Sequence, residues 1–190
     1  MQKRRRNKLR KQIMKDSKKV NILSTVRFVF VLFGLLWIVV NFVFKPVVVK
    51  GEDMYPTLND KELILTSQIS YLFAEPKRFD IVVTYSKEEA TNVIKRVIGL
   101  PNDTVQYRGD TLYINGEPLY EYFIDEEYKD EMLKSETRNF TDDYGPIKLE
   151  KNEYFVYGDN RIGANESKHF EIVEEDDIVA KYLFTFELLK

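Results

Sequence analysis

The hydrophobic pattern divides the chain near residue 45. From Phe28 to Phe44 every position is apolar except Gly34 and Asn41, and Trp37 lies inside the run. With Val26 and the flanks it reaches the roughly twenty residues that a bilayer-spanning helix needs. Beyond it, short stretches rich in β-branched and aromatic residues predict strands over 62–67, 80–85, 93–98, 104–108, 111–115, 153–157 and 178–187. Val47 to Val49 reads as an extended run that follows Pro46. Gly109-Asp110 is a two-residue hairpin signal, and Asn115-Gly116 marks the next turn. Residues 120–143 are charged and aromatic with poor alternation, and read as a surface excursion holding a short helix over 125–136. The pattern predicts a mainly antiparallel β protein behind one N-terminal helix. Its parts are a basic arm (1–21), a transmembrane anchor (22–45) and a β domain (46–190) with a small cap inserted at about 104–152.

Charge sharpens this division. The net charge of −2 conceals eleven Lys or Arg and one acid, Asp16, within residues 1–27. The remainder carries 18 basic and 30 acidic residues, a net of −12. A basic arm placed directly before an apolar span reads as a cytoplasmic flank that sets topology rather than as a nucleic-acid-binding segment. The run is too long for a cleaved leader, and no small-x-small site follows it, since Lys45-Pro46-Val47-Val48-Val49 comes next. The expected placement is a single-pass anchor with the N-terminus in the cytoplasm and the β domain outside. The chain has no cysteine, which removes disulfides, thiolate nucleophiles and Cys-based metal sites. Its single histidine, His169, excludes multi-histidine metal sites and disfavours a Ser-His-Asp triad. No cofactor or metal is expected.

Three polar stretches carry candidate chemistry. The first, Val49 to Leu58, follows the anchor closely and contains Asp53 and Met54. The second, Ile94 to Asp103, puts Lys95 inside an apolar strand. A buried lysine loses hydration of its charged form, and a neutral amine can act as a general base. From the spacing alone, the preferred reading of Lys95 is an exposed lysine on one face of a half-buried strand. The third stretch is the polar turn Gly158-Asp159-Asn160-Arg161.

Together these stretches resemble the motifs of type I signal peptidases. Gly51 to Leu58 is similar to their Gly-x-Ser-Met-x-Pro-Thr-Leu motif, and Lys95 to Asp103 to their Lys-Arg-x-x-Gly-Leu-Pro-Gly-Asp motif. Gly158 to Arg161 matches Gly-Asp-Asn-Arg, and Arg78 to Val83 resembles Arg-Gly-Asp-Ile-Val-Val. The resemblance spans about residues 20–185. It implies a serine nucleophile with a lysine base, acting at the outer face of a bacterial cytoplasmic membrane. The substrates would be exported preproteins with small residues at the first and third positions before the cut, bound as added strands. The lysine position is Lys95, and Asp159 with Arg96 would form a supporting ion pair. Met54, Asp80 and Ile81 are the implied substrate-binding positions. Implied partners are signal peptides, membrane lipids and an active paralogue.

The chain departs from that pattern at its two hydroxyls. Asp53 occupies the nucleophile position, and Ala164 stands where a second hydroxyl would orient the lysine. Glu166-Ser167-Lys168 replaces Asp-Ser-Arg, Asn102 replaces a glycine that follows the proline, and Glu171 and Glu174 stand at a glycine and a proline position. A carboxylate attacking an amide gives an anhydride that collapses back. An opposite charge at about 4 Å, worth roughly 4 kcal/mol at an effective dielectric of 20, would also hold Lys95 as a cation. Thr57, Ser67 and Ser86 lack motif support as substitutes. Glu52 is expected on the opposite strand face from Asp53. The expectation is a family member with weak or absent cleavage. The alternative is a non-catalytic peptide-binding or regulatory homologue.

Overall fold

The computed structural model describes residues 24–38, 40, 43–135, 139–162 and 170–186. They fall into two compact units divided between Val43 and Phe44. In the first, residues 24–38 form helix α1. Val26, Phe28, Phe30, Leu32, Phe33, Leu35 and Trp37 are all exposed along it. Among the described residues no helix is long and apolar enough to cross a membrane. Phe44 and Lys45, expected at the end of a span over 22–45, belong instead to a strand. The arm 1–21 lies outside the described residues.

The second unit is built on two antiparallel sheets. The larger has seven strands in the order β1-β2-β11-β3-β4-β9-β10. These are β1 (Phe44–Val48), β2 (Leu63–Ser67), β3 (Ile81–Ser86), β4 (Thr91–Gly99), β9 (Glu153–Tyr157), β10 (Phe170–Glu174) and β11 (Ile178–Thr185). The smaller sheet, ordered β7-β6-β5-β8, holds β5 (Thr104–Arg108), β6 (Thr111–Ile114), β7 (Glu117–Leu119) and β8 (Tyr144–Lys148). Short helices α2 (Ser70–Phe73) and α3 (Glu126–Ser135) complete the described elements with a single 3₁₀ turn, Glu175–Asp177. The extended run expected after Pro46 starts earlier, since β1 runs through Pro46. An edge strand tolerates a missing N–H, and β1 is an edge.

Two apolar clusters position the site. Val49, Met54, Leu58, Ile64 and Ile81 pack together beneath the turns after β1. Ile98, Val105, Tyr107, Leu112, Leu149, Phe155 and Tyr157 bind the small sheet to β4 and β9. Gly99 sits at that junction. A Cβ there would come within 2.5 Å of Val105 and 2.7 Å of Leu149, so only glycine lets the sheets close. Asp103 staples the same corner. It accepts from Arg78 Nη2, the Leu100 N–H and Asn115 Nδ2, each at 2.8 Å. Asn102, at φ +66°, makes the left-handed turn that the family motif gives to glycine.

Candidate active site

β4 lies between β3 and β9, and from Lys95 onward its residues are buried on both faces. Adjacent residues of a strand point to opposite faces, so Lys95 and Arg96 send their charges in opposite directions. Lys95 is 2% exposed and Arg96 6%. A buried cation requires a counter-charge, and each has one. Arg96 donates through Nε to Asp159 Oδ1 at 2.8 Å and through Nη2 to Oδ2 at 2.6 Å, a two-pronged fit. Its Nη1 donates to the Phe79 carbonyl at 2.9 Å, and its guanidinium lies 4.1 Å from the Phe123 ring centre. On the other face, Lys95 Nζ donates to Asp53 Oδ2 at 2.7 Å.

Asp53 does not lie on a strand. Residues 51–58 are consecutive turns, so the expected opposition of Glu52 and Asp53 across a strand does not exist. The Tyr55 N–H donates to the Glu52 carbonyl at 3.0 Å and the Leu58 N–H to the Met54 carbonyl at 2.9 Å. Met54 and Leu58 are fully buried and anchor these turns in the core. The Gly158–Arg161 turn then grips the Asp53 backbone. The Asn160 N–H donates to the Asp53 carbonyl at 2.9 Å, and Asn160 Nδ2 to the Glu52 carbonyl at 3.1 Å. A Cβ on Gly158 would lie 2.5 Å from that Asp53 carbonyl, which explains the glycine. Thr57 Oγ1 donates to Asp159 Oδ2 at 2.5 Å, so this hydroxyl is committed to the ion pair. Ser86 donates to Glu171 and is likewise committed.

The cap reaches the same place. Tyr128 of α3 donates to Asn160 Oδ1 at 2.9 Å, and its ring meets Tyr55 edge-on at 5.2 Å. Burial, with the nearby Tyr55 and the Glu52 charge, pushes the Tyr128 phenol up, which keeps it a donor. Arg161, 4% exposed, donates to Glu121 at 2.8 Å and lies 3.9 Å from the Tyr157 ring centre. Nothing in the spacing of the excursion 120–143 pointed to Tyr128 or Glu121.

A groove of about 720 Å³ opens beside Asp53. Asp53 and Met54 line it with Val47 to Val49, Val93 and Ile94. Of the other implied substrate-binding positions, Ile81 is buried in the Met54 cluster. Asp80 is held by Lys181, whose Nζ donates to both carboxylate oxygens at 2.8 and 2.7 Å. Tyr71 also donates to Asp80 at 3.2 Å, and burial together with the Asp80 charge raises that phenol. The structure therefore brings Asp53, Met54 and Lys95 together, with Arg96 and Asp159 behind them, and leaves Asp80 and Ile81 off the groove wall. Ala164, Glu166, Ser167, Lys168 and His169 lie outside the described residues. Glu171 accepts from Ser86, and Glu174 accepts from Lys87 at 2.9 Å. Among the described residues no group of three or more His, Cys, Asp or Glu is placed to hold a metal. Chemically the centre is an ion pair between Lys95 and Asp53, with Asp53 on the wall of a groove.

A family model described as "Signal peptidase, peptidase S26" matches residues 22–187. The chain is 38% identical over 170 residues to a Signal peptidase I P of Bacillus subtilis subsp. natto, covering 89% of this chain and 90% of that protein. It is 37% identical over 147 residues to Signal peptidase I T of Bacillus subtilis strain 168, covering 77% and 75%. It is 39% identical over 155 residues to a Signal peptidase I of Bacillus amyloliquefaciens, covering 82% of each. A crystal structure of a signal peptidase I from Enterococcus faecalis V583 aligns with a TM-score of 0.48 at 34% identity, over 57% of this chain and 97% of that one.

Proposed function

The chain belongs to the signal peptidase family, peptidase S26, and is thereby tied to signal-peptide processing; we propose that it binds exported preproteins but cleaves them weakly or not at all. One observation carries this reading: Lys95 Nζ lies 2.7 Å from Asp53 Oδ2. A serine-type mechanism needs a hydroxyl that attacks the carbonyl and a neutral amine that takes its proton. Here the hydroxyl is replaced by a carboxylate, and the amine is paired with it as an ammonium. Both halves of the reaction are lost together, and such groups act as a unit. Thr57, the nearest aliphatic hydroxyl in sequence, already donates to Asp159.

The binding half of the machinery is kept. β1 is an edge strand beside the groove, so its free backbone groups can accept an extended peptide as a further strand. Val49 and Met54 give the groove wall an apolar character suited to small side chains. The apolar, all-round exposed face of α1 supports anchoring, because a helix hydrophobic on every side needs an apolar surrounding. The proposed setting is the outer face of a bacterial cytoplasmic membrane, with membrane lipids around the anchor and the N-terminus inside. The proposed partners are preprotein signal peptides and an active signal peptidase paralogue to which bound chains are passed.

The test is photocrosslinking. A preprotein segment with an Ala-x-Ala site and a crosslinker two residues before it should label Val47 to Gly51 or Asn92 to Ile94 of the full chain in detergent, and should be recovered uncut. Rapid cutting of that segment, or labelling confined to surfaces away from the groove, would overturn the reading.

A further inference from the structure

We infer that the groove discriminates by the charge at the end of its ligand: it takes continuous or C-terminally neutral peptide chain and rejects a free C-terminal carboxylate. This rests on the preceding reading, that the groove holds peptide with its processing position beside Asp53. The groove is lined by Asp53 but not by Lys95. The Asp53 side chain is 35% exposed, whereas that of Lys95 is 3% exposed. A ligand in the groove therefore meets the carboxylate, with the ammonium behind it and already engaged at 2.7 Å. The remaining charged lining residues, Lys45, Lys50 and Glu89, are exposed, and they are common to the unaltered chain and its Asp53 variants, so their effect cancels in a comparison between them.

The consequence follows from the chemistry of peptide ends. A continuing chain presents an amide to Asp53, and its N–H can donate to the carboxylate. A cleaved chain ends in a carboxyl group with a reference pKa of about 3.3–3.7, which is ionised at neutral pH. Two carboxylates about 4 Å apart repel, and the Lys95 ammonium 2.7 Å behind Asp53 cancels part of that repulsion, which leaves binding weakened about twofold at the dielectric of water and about tenfold at an effective dielectric of 20. A neutral serine at this position would impose no such penalty. The substitution that removes the nucleophile thus also gives the groove a preference for uncut precursor over cut signal peptide.

The experiment uses two synthetic peptides of one sequence ending in Ala-x-Ala, one with a C-terminal amide and one with a free carboxylate. Both are titrated at pH 7 and about 0.15 M salt against the full chain in detergent, and against Asp53→Asn and Asp53→Ser. The amide peptide keeps an acyl C–N bond at the processing position, so mass spectrometry confirms that it is intact in the titration of the serine variant, and Asp53→Asn has no hydroxyl at that position to attack it. The expected result is about fivefold tighter binding of the amide by the unaltered chain, a preference lost or reversed in both variants, where Lys95 is left without its carboxylate. Equal binding of the two peptides, or a preference that survives both substitutions, would overturn the inference. Failure of either peptide to bind any of the three proteins would instead sink the groove-binding reading on which it rests. Thermal unfolding of each variant confirms that it is folded, and either variant alone suffices for the comparison.

Discussion

Removing Asp53 while leaving Lys95 in place should expose how strongly the two are coupled. At 2.7 Å their Coulomb attraction is about 6 kcal/mol at an effective dielectric of 20 and about 1.5 kcal/mol in bulk water. The 35% exposure of the Asp53 side chain moves the value toward the lower figure, and the desolvation of Lys95 offsets part of the rest. A net coupling of about 2 kcal/mol is expected. Asp53→Ala strands a buried ammonium and should destabilise by about 2–3 kcal/mol, a fall in Tm of about 5–10 °C for a chain of this size. Lys95→Met keeps the length of the side chain without its charge and should cost less. The double variant should be about 2 kcal/mol more stable than the two single losses added together. Thermal unfolding by near-ultraviolet circular dichroism suits the measurement. The chain has twelve tyrosines, and its one tryptophan, Trp37, lies in α1, outside the β unit. A coupling below about 0.5 kcal/mol would refute the argument that this contact stabilises the centre.

Three further outcomes are expected. Asp159→Ala leaves Arg96 buried without its two-pronged partner and should cost about 3–5 kcal/mol, seen as early unfolding in urea. Tyr128→Phe removes the donor to Asn160 and should cost about 1 kcal/mol by the same assay, with larger loss if the whole ring is removed. Burial tends to raise the Asp103 carboxyl, but the Leu100 N–H, Arg78 and Asn115 outweigh it and leave the carboxyl below its ordinary value. Its contribution is therefore present above the unfolded carboxylate pKa of about 4 and is lost as pH falls through the folded value. The Tm of Asp103→Asn should be lower at neutral pH and should fall less steeply than that of the unaltered chain between about pH 5 and 2.

The strands that alternate or carry β-branched runs were legible from sequence. Those expected at 104–108 and 153–157 coincide with β5 and β9, and the hairpin at Gly109-Asp110 turns with φ +54° and +59°. β8 was not legible because it contains Gly145 and Pro146, residues that ordinarily break strands. β7 and β10 were missed because one has only three residues and the other is half acidic or exposed. At the site, the contact of Arg96 with Asp159 and the nearness of Asp53 to Lys95 could be reached through motif resemblance, since each motif fixes a local turn or strand. The turn conformation of Asp53, the capture of Asp80 by Lys181 and the tie from Tyr128 to Asn160 could not. The last two join residues far apart in the chain through packing of one element on another, and the turn at Asp53 is a local one whose sequence carries no strong turn signal.

The most direct test of the proposal that the Asp53–Lys95 contact suppresses cleavage is restoration of the hydroxyls. A preprotein with an Ala-x-Ala site is incubated in lipid with the unaltered chain, Asp53→Ser, and Asp53→Ser with Ala164→Ser, and the product mass fixes the bond that is cut. Negligible cutting by the unaltered chain, appearing in Asp53→Ser and rising in the double variant, is the expected result. Clear cutting by the unaltered chain that disappears in Lys95→Ala would contradict it and require a nucleophile other than residue 53.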